Sequence, residues 1–420
     1  MGILNLPKPY YTVFTSNCTR DTSFIYNSNS RNEVFFYVLM FGLWNAGTSI
    51  GDNAVDGLIC QRSMLEPKGI KGRIVGICRL VSISGRIFAL AFVGLLLNSP
   101  EYGGTFCFGI TFNHASLFFA CVMASAIVYA FFFTNEPKSS VSVDSIKGNA
   151  DNIGKLVVSN YFQRMLLFSI CFAVGVRSES PANFKVEKNW AKVEPFVKNL
   201  MQVIMLLVEL GSLSIYVKYY LHTSWRKILA IQQIAVALLE IPIVVMTTFD
   251  IFRNQYFWFI DDLANSVVQA IGFIAINMIL VEFANYGTEA FIHAVFWSTY
   301  TACSAMLGIC YNYAFSLFDI MEDSRYISDT RTDQIMVFLS YAAIYTIRLS
   351  VIPAVLLLPK QKAEANIMKE ENSQRNPKWY NYAFLLCIVL MYLFSIVVNL
   401  LPQFESTRCL MIAGGRGCSS

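Results

Sequence analysis

Charge is scarce in this sequence. Asp, Glu, Lys and Arg make up 14% of 420 residues, whereas a soluble chain carries about 25%. A soluble globular protein is therefore excluded. Histidine is scarcer still, at three residues, and the eleven cysteines include no CxxC pair, which argues against a zinc site or a disulfide framework. A net charge of +4 is too small to suggest a nucleic-acid partner. No Ser/His/Asp set and no phosphate-binding glycine loop follows a strand pattern; Gly414-Gly415-Arg416-Gly417 sits in a terminal tail. An enzyme is not expected, and neither a cofactor nor a metal is implied. No apolar core of signal-peptide length occurs in residues 1–33.

What the chain does have is apolar residues, at 55% of the total. They fall in about ten runs of membrane-spanning length: 34–59, 74–98, 107–133, 156–176, 197–217, 228–249, 256–283, 289–317, 334–358 and 380–401. The expectation is an all-α, polytopic transmembrane bundle whose partner is the lipid bilayer. Residues 134–155, polar and rich in Ser and Asp, read as a linker between two bundles, 34–133 and 156–358. Residues 359–379 form a further polar loop before the last span, and 402–420 a tail.

Loop charge orients these spans. Arg62, Lys68, Lys71 and Arg73 crowd one loop, Lys218, Arg226 and Lys227 a second, and Lys360, Lys362, Lys369, Arg375 and Lys378 a third. The 318–333 loop is acidic, with Asp319, Glu322, Asp323, Asp329 and Asp333. Basic loops on the cytoplasmic side put 1–33, the acidic loop and the tail outside. Asn17-Cys18-Thr19 is then a glycosylation acceptor pattern on that side. Cys18, Cys409 and Cys418 also share it, which leaves open a disulfide or free thiols.

Charges inside the spans carry the functional signal, because each costs roughly 2.5–3.5 kcal/mol at the bilayer centre. Asp52 and Asp56 lie four residues apart, on one face of the first span. Arg79 and Arg86 lie on one face of the second, and Arg62 marks the exit of the first. At 1.5 Å per residue, Arg79 and Asp56 sit at similar depths, roughly 8 Å inside the cytoplasmic end. Asp52 lies about a turn deeper, towards the level of Arg86. Antiparallel neighbours would pair these acids with these bases, either as counter-charges at a gate or as a structural latch. Asp262, Asn265 and Gln269 form a polar stripe on the seventh span, with Asp261 turned away. The stripe suits a lumen-facing helix or hydrogen bonding between helices. Glu289 and His293 follow at i and i+4, and Arg164, Glu209, Glu240, Asn277, Glu282 and Arg348 complete the intramembrane polar set.

Gly51-Asp52, Val55-Asp56-Gly57-Leu58 and Gln61-Arg62 resemble the fourth-helix signature of the folate–biopterin transporter family, a branch of the major facilitator superfamily. Asp261-Asp262, Gln269, Gly287-Thr288-Glu289-Ala290 and the small-residue run Ser298 to Gly308 resemble its tenth and eleventh helices. Ser180-Pro181, Trp190-Ala191-Lys192, His222 to Lys227 and Phe249 to Phe257 resemble its protist branch. Gln61 departs from the family's acid, and Val75 to Leu80 departs from its Gln-Ser and Trp-Gly pairs. Counting from the motif, helices one to three are unaccounted for before Asp52, the C-terminal half is complete, and 380–401 is an extra span. The resemblance implies a major-facilitator fold and uptake of folate, biopterin or a related solute, coupled to protons, at the plasma membrane. Asp52 and Asp56 would then gate or couple transport, with Arg62, Arg79 and Arg86 beside them. Asp262, Asn265, Gln269 and Glu289 would line the path, and Arg348 or Arg86 would suit a folate glutamyl tail. A non-transporting receptor or assembly subunit of the same ancestry is the alternative.

Overall fold

A computed structural model describes residues 34–67, 72–99, 106, 108–133, 143–220, 223–285, 287–320, 322–370, 377–401, 404, 406, 407, 409 and 410. The Asn17 acceptor pattern, Cys18, Cys418, Lys68, Lys71, His222, Arg375 and Gly414 to Gly417 lie outside them. The described residues form helices and no strand. In order these are α1 (Val34–Met64), α2 (Arg73–Leu96), α3 (Phe112–Phe133), α4 (Val143–Val157), α5 (Asn160–Arg177), α6 (Asn183–Lys185), α7 (Pro195–Tyr219), α8 (Trp225–Thr248), α9 (Gln255–Phe283), α10 (Glu289–Ser316), α11 (Asp323–Ser328), α12 (Arg331–Ser350), α13 (Lys362–Glu370) and α14 (Lys378–Leu400).

Each of the ten expected spans is thus a helix. Seven of the helical segments are long and apolar enough to cross a membrane, and an eighth counts if α4 and α5, which meet at 67°, form one bent span. The other two, α1 and α10, run for 31 and 28 residues and carry polar residues along their length. Large apolar side chains cover the outside. Phe131 on α3 is 81% exposed and Leu238 on α8 66%. Water would not tolerate such a surface on a monomer, whereas lipid does.

Local chemistry sets the helix ends outside the apolar runs. Asn254 accepts a hydrogen bond from the Tyr256 N–H at 2.8 Å and starts α9. Thr330 and Asp333 form a reciprocal capping box at the start of α12. Asp329 takes a left-handed backbone, φ 45°, to end α11 one residue before it.

The chain divides into two units. One takes the described parts of Met1–Asp52, Ser84–Lys147 and Glu194–Val203. Its packing is aromatic: Phe92 stacks on Phe118 at 4.7 Å and meets Phe119 edge-on at 5.3 Å. The other takes Asn53–Ile83, Gly148–Val193 and the described parts of Ile204–Ser420. Within it α8 packs on α9 and α12, and α5 on α10. A core of Val186, Trp190, Val244, Trp258, Tyr326, Val337 and Tyr341 closes one end. The extra helix α14 docks on this unit through Asn381 to Gln163 at 2.8 Å and Tyr392 to Thr299 at 2.8 Å. Among the described cysteines, seven are free thiols and Cys409 is disulfide-bonded.

Candidate functional site

A buried charge cluster lies in the second unit. Glu240 on α8 and Arg348 on α12 form an ion pair with both side chains under 10% exposed. The Arg348 Nε donates to the Gly175 carbonyl on α5 at 3.0 Å, and its guanidinium lies 5.8 Å from the Tyr345 ring. On the far side, Asn265 of α9 donates to Glu240 Oε1 at 3.5 Å, and Gln269 donates to Asn265 Oδ1 at 2.8 Å. One polar chain therefore joins α5, α8, α9 and α12. Two of its members, Asn265 and Gln269, belong to the stripe read from the seventh span; Asp262 sits half-buried one turn before them.

Close helix contact around this cluster is built with glycine. A Cβ on Gly272 of α9 would overlap the Gln232 amide of α8, and one on Gly175 would come within 3.0 Å of Gln233 Oε1. The Gln232 Oε1 is buried without a partner. A buried polar atom left unpaired costs about 1–3 kcal/mol, so α8 holds unsatisfied polar capacity about two turns from Glu240.

The acidic motif of α1 has a different setting. Asp52 and Arg86 are both exposed, and no ion pair joins them among the described contacts, so that part of the expected latch is not formed. Arg79 is engaged by Glu209 of α7, at 3.2 Å, and lies 4.2 Å from the Phe273 ring of α9. Glu209 comes from a helix that depth matching between neighbours does not reach. Asp56 is half-buried, with an interaction of its own, and Arg62 is exposed on the last turn of α1. Next to Asp56, Gly57 faces Ala290 of α10: a Cβ there would stand 2.8 Å from the Ala290 Cβ. The motif is thus pressed against the first turn of α10, where Glu289 is buried.

His293, one turn further along α10, is 4% exposed, and neither ring nitrogen has a partner; the Glu289 Oε1 has none either. Arg164 is exposed. Asn277 turns back to the Phe273 carbonyl at 2.9 Å and serves its own helix. No group of three or more metal-ligating side chains occurs among the described residues.

The acidic 318–333 segment is engaged rather than freely solvated. Asp329 receives two hydrogen bonds from Arg253, at 2.5 and 2.9 Å, and these hold its carboxyl below the ordinary carboxylate range. Arg253 also lies 4.6 Å from the Trp190 ring. Lys185 pairs with Asp323 and Arg325 with Asp333. Three loops are thereby tied together at one end of the unit. Charge counting marked the acids here, but not the basic partners that neutralise them.

A buried charge pair and amide chain in an apolar helical bundle suits a solute path or its frame. No curated protein and no solved structure gives a significant match to the chain. The profile of the BT1 family matches residues 22–377, which include the α1 motif, the α8–α9–α12 cluster and every residue of the candidate site. With this match over most of its length and its set of apolar helices, the chain is an integral, multi-pass membrane protein that belongs to the BT1 family of folate–biopterin transporters.

Proposed function

We propose that this protein carries a folate, pterin or related solute across the membrane by alternating access, coupled to proton movement. The observation that supports it best is the buried Glu240–Arg348 pair with its Asn265–Gln269 extension. Burying two charges in a lipid-embedded bundle is costly even when they are paired, and such groups mark solute and proton paths. Pterin rings present a paired N–H donor edge that suits carboxylate and amide acceptors. A glutamyl tail suits a guanidinium. Glu240, Asn265, Gln269 and Arg348 place both kinds of partner in one chain.

Asp52, Asp56 and Arg62 belong in this reading to a gate, with Arg79 and Glu209 bracing α2 against α7. Arg86 and Asp262 are assigned to the solute path, and Glu289 with His293 to the proton step. Residues 34–133 and 156–358 act as the two bundles, 134–155 as their cytoplasmic linker, and the plasma membrane is the working location.

The test is uptake of labelled folate and biopterin by cells or proteoliposomes containing the protein, with and without an imposed proton gradient. Uptake that rises with the gradient and falls in Asp52→Asn, Asp56→Asn and Glu240→Gln at equal surface abundance supports the reading. Unchanged uptake in Asp52→Asn and Asp56→Asn removes the gating role. Solute binding without uptake favours a receptor.

A further inference from the structure

A polar cavity of about 390 Å³ lies where α4 bends into α5 and α9 connects to α10. Its walls include Asn152, Lys155, Leu156, Tyr161, Thr288 and Lys369. Two ammonium groups, the two amides of Asn152 and Asn285, and two hydroxyl-bearing side chains converge there, and among the described residues no carboxylate lines it. The Lys369 Nζ is held by the Ala284 carbonyl at 3.0 Å and by Asn285 Oδ1 at 3.2 Å. Lys155 is exposed on the last turn of α4. Thr288 is the N-cap position of α10, a 28-residue helix, but its side chain makes no capping bond; the hydroxyl turns to the Asn285 carbonyl at 3.0 Å instead. With Thr288 in its wall, the cavity borders the N-terminal, positive end of the α10 dipole. Glu289, although next in sequence, is buried and does not line the cavity.

The position of the cavity says where its ligand comes from. The cavity sits at the ends of α5, α9 and α10; with these apolar helices taken as crossing the bilayer, that end falls at headgroup level. α4 turns 67° away from α5, and Ile153, Leu156 and Val157 share one of its faces while Asn152 and Lys155 take another. α13, which carries Lys369, packs on α9 through its own side. Two short amphipathic helices at the end of the spans, each delivering a lysine to one pocket, match an interfacial lipid site.

We propose that this cavity binds the phosphate of an anionic phospholipid headgroup, with Lys155 and Lys369 as its cationic clamp. A free phosphate has the same chemistry, so the experiment separates the two sources. The full chain is purified in detergent and titrated with short-chain phosphatidic acid, phosphatidylcholine of the same chain length, and inorganic phosphate. Bound ligand is read by native mass spectrometry. Phosphatidic acid is expected to bind, and Lys155→Gln with Lys369→Gln to weaken it roughly 30-fold, on the usual contribution of a lysine at a charged membrane surface. Lys155→Arg with Lys369→Arg should keep the binding. Lys369 also supports the α9–α10 connection, so Lys155→Gln alone is the second variant; the Lys155 side chain is exposed, and its loss should weaken binding roughly fivefold. Equal affinity in Lys155→Gln and wild type overturns the site. Phosphatidylcholine binding as tightly as phosphatidic acid overturns recognition of charge, and inorganic phosphate doing so overturns the lipid as its source.

Discussion

Arg348 of α12 and Glu240 of α8 face each other as a buried ion pair, 108 positions apart in the chain. Breaking one partner of such a pair leaves an uncompensated buried charge, whereas replacing both with apolar groups of similar size is close to neutral. Arg348→Met alone should therefore cost ~3–5 kcal/mol of stability. Glu240→Leu combined with Arg348→Met should recover most of the melting temperature. Folate and biopterin uptake should be lost in both. Restored uptake in the double variant would make the pair a structural frame only.

Arg79 and Glu209 form the second cross-helix charge contact, and the Phe273 ring covers the guanidinium. A charge-assisted hydrogen bond is worth about 1.5–3 kcal/mol. Arg79→Gln or Glu209→Gln should each lower stability by that order, and the combined variant by less than the sum. A double-mutant cycle on melting temperature reads the coupling directly; additive losses would mean that the contact contributes nothing.

Gly57 is expected to be intolerant of any side chain. The Ala290 backbone stands only 3.3 Å from where a Cβ would be, so relief requires a helix shift rather than a rotamer change. Overpacking of this kind costs about 1–3 kcal/mol. Gly57→Ala should depress stability and uptake, while Gly47→Ala, with nothing within 4 Å, should leave both unchanged. Thermal unfolding and uptake of the two variants, side by side, check this.

Asp329 gives a pH signature outside the membrane spans. Its carboxyl is held below its ordinary value of 3.8, chiefly by hydrogen bonds from Arg253. A depressed folded value stabilises the fold above the unfolded value, and that contribution is lost as pH falls through the folded one. The melting temperature of the purified protein should fall on acidification from near the unfolded value of 3.8 downward. Asp329→Asn should lower it at neutral pH and flatten that acid limb. An unchanged acid limb would show that the Arg253 clamp adds no stability.

The apolar runs and their helical character were legible in the sequence, because lipid forces long apolar runs and satisfies backbone groups only within helices; their number was not, since seven or eight of the ten expected are long and apolar enough to cross a membrane. The Asn265–Gln269 stripe was legible for the same reason of period: residues four apart share a face. The Glu240–Arg348 pair was not. Both residues stood out as charges in apolar runs, but pairing over that separation depends on how α8 packs on α12, which no local pattern encodes. Arg79 shows the same limit. Depth matching offered Asp56 and Asp52 on the neighbouring span, and the fold adds Glu209 from α7. The acidic 318–333 loop was visible as charge, yet Arg253, its main cation, lies in the α8–α9 connection and is brought to it only by the fold.

The central claim is that this chain moves pterin or folate solutes by itself. Its most direct test is uptake of labelled biopterin and folate into proteoliposomes that contain the purified protein and no other. Saturable accumulation of at least one of them, abolished by Arg348→Met with Glu240→Leu in a folded protein, is the result predicted. Uptake no greater than in protein-free liposomes, by protein that melts cooperatively, would contradict it.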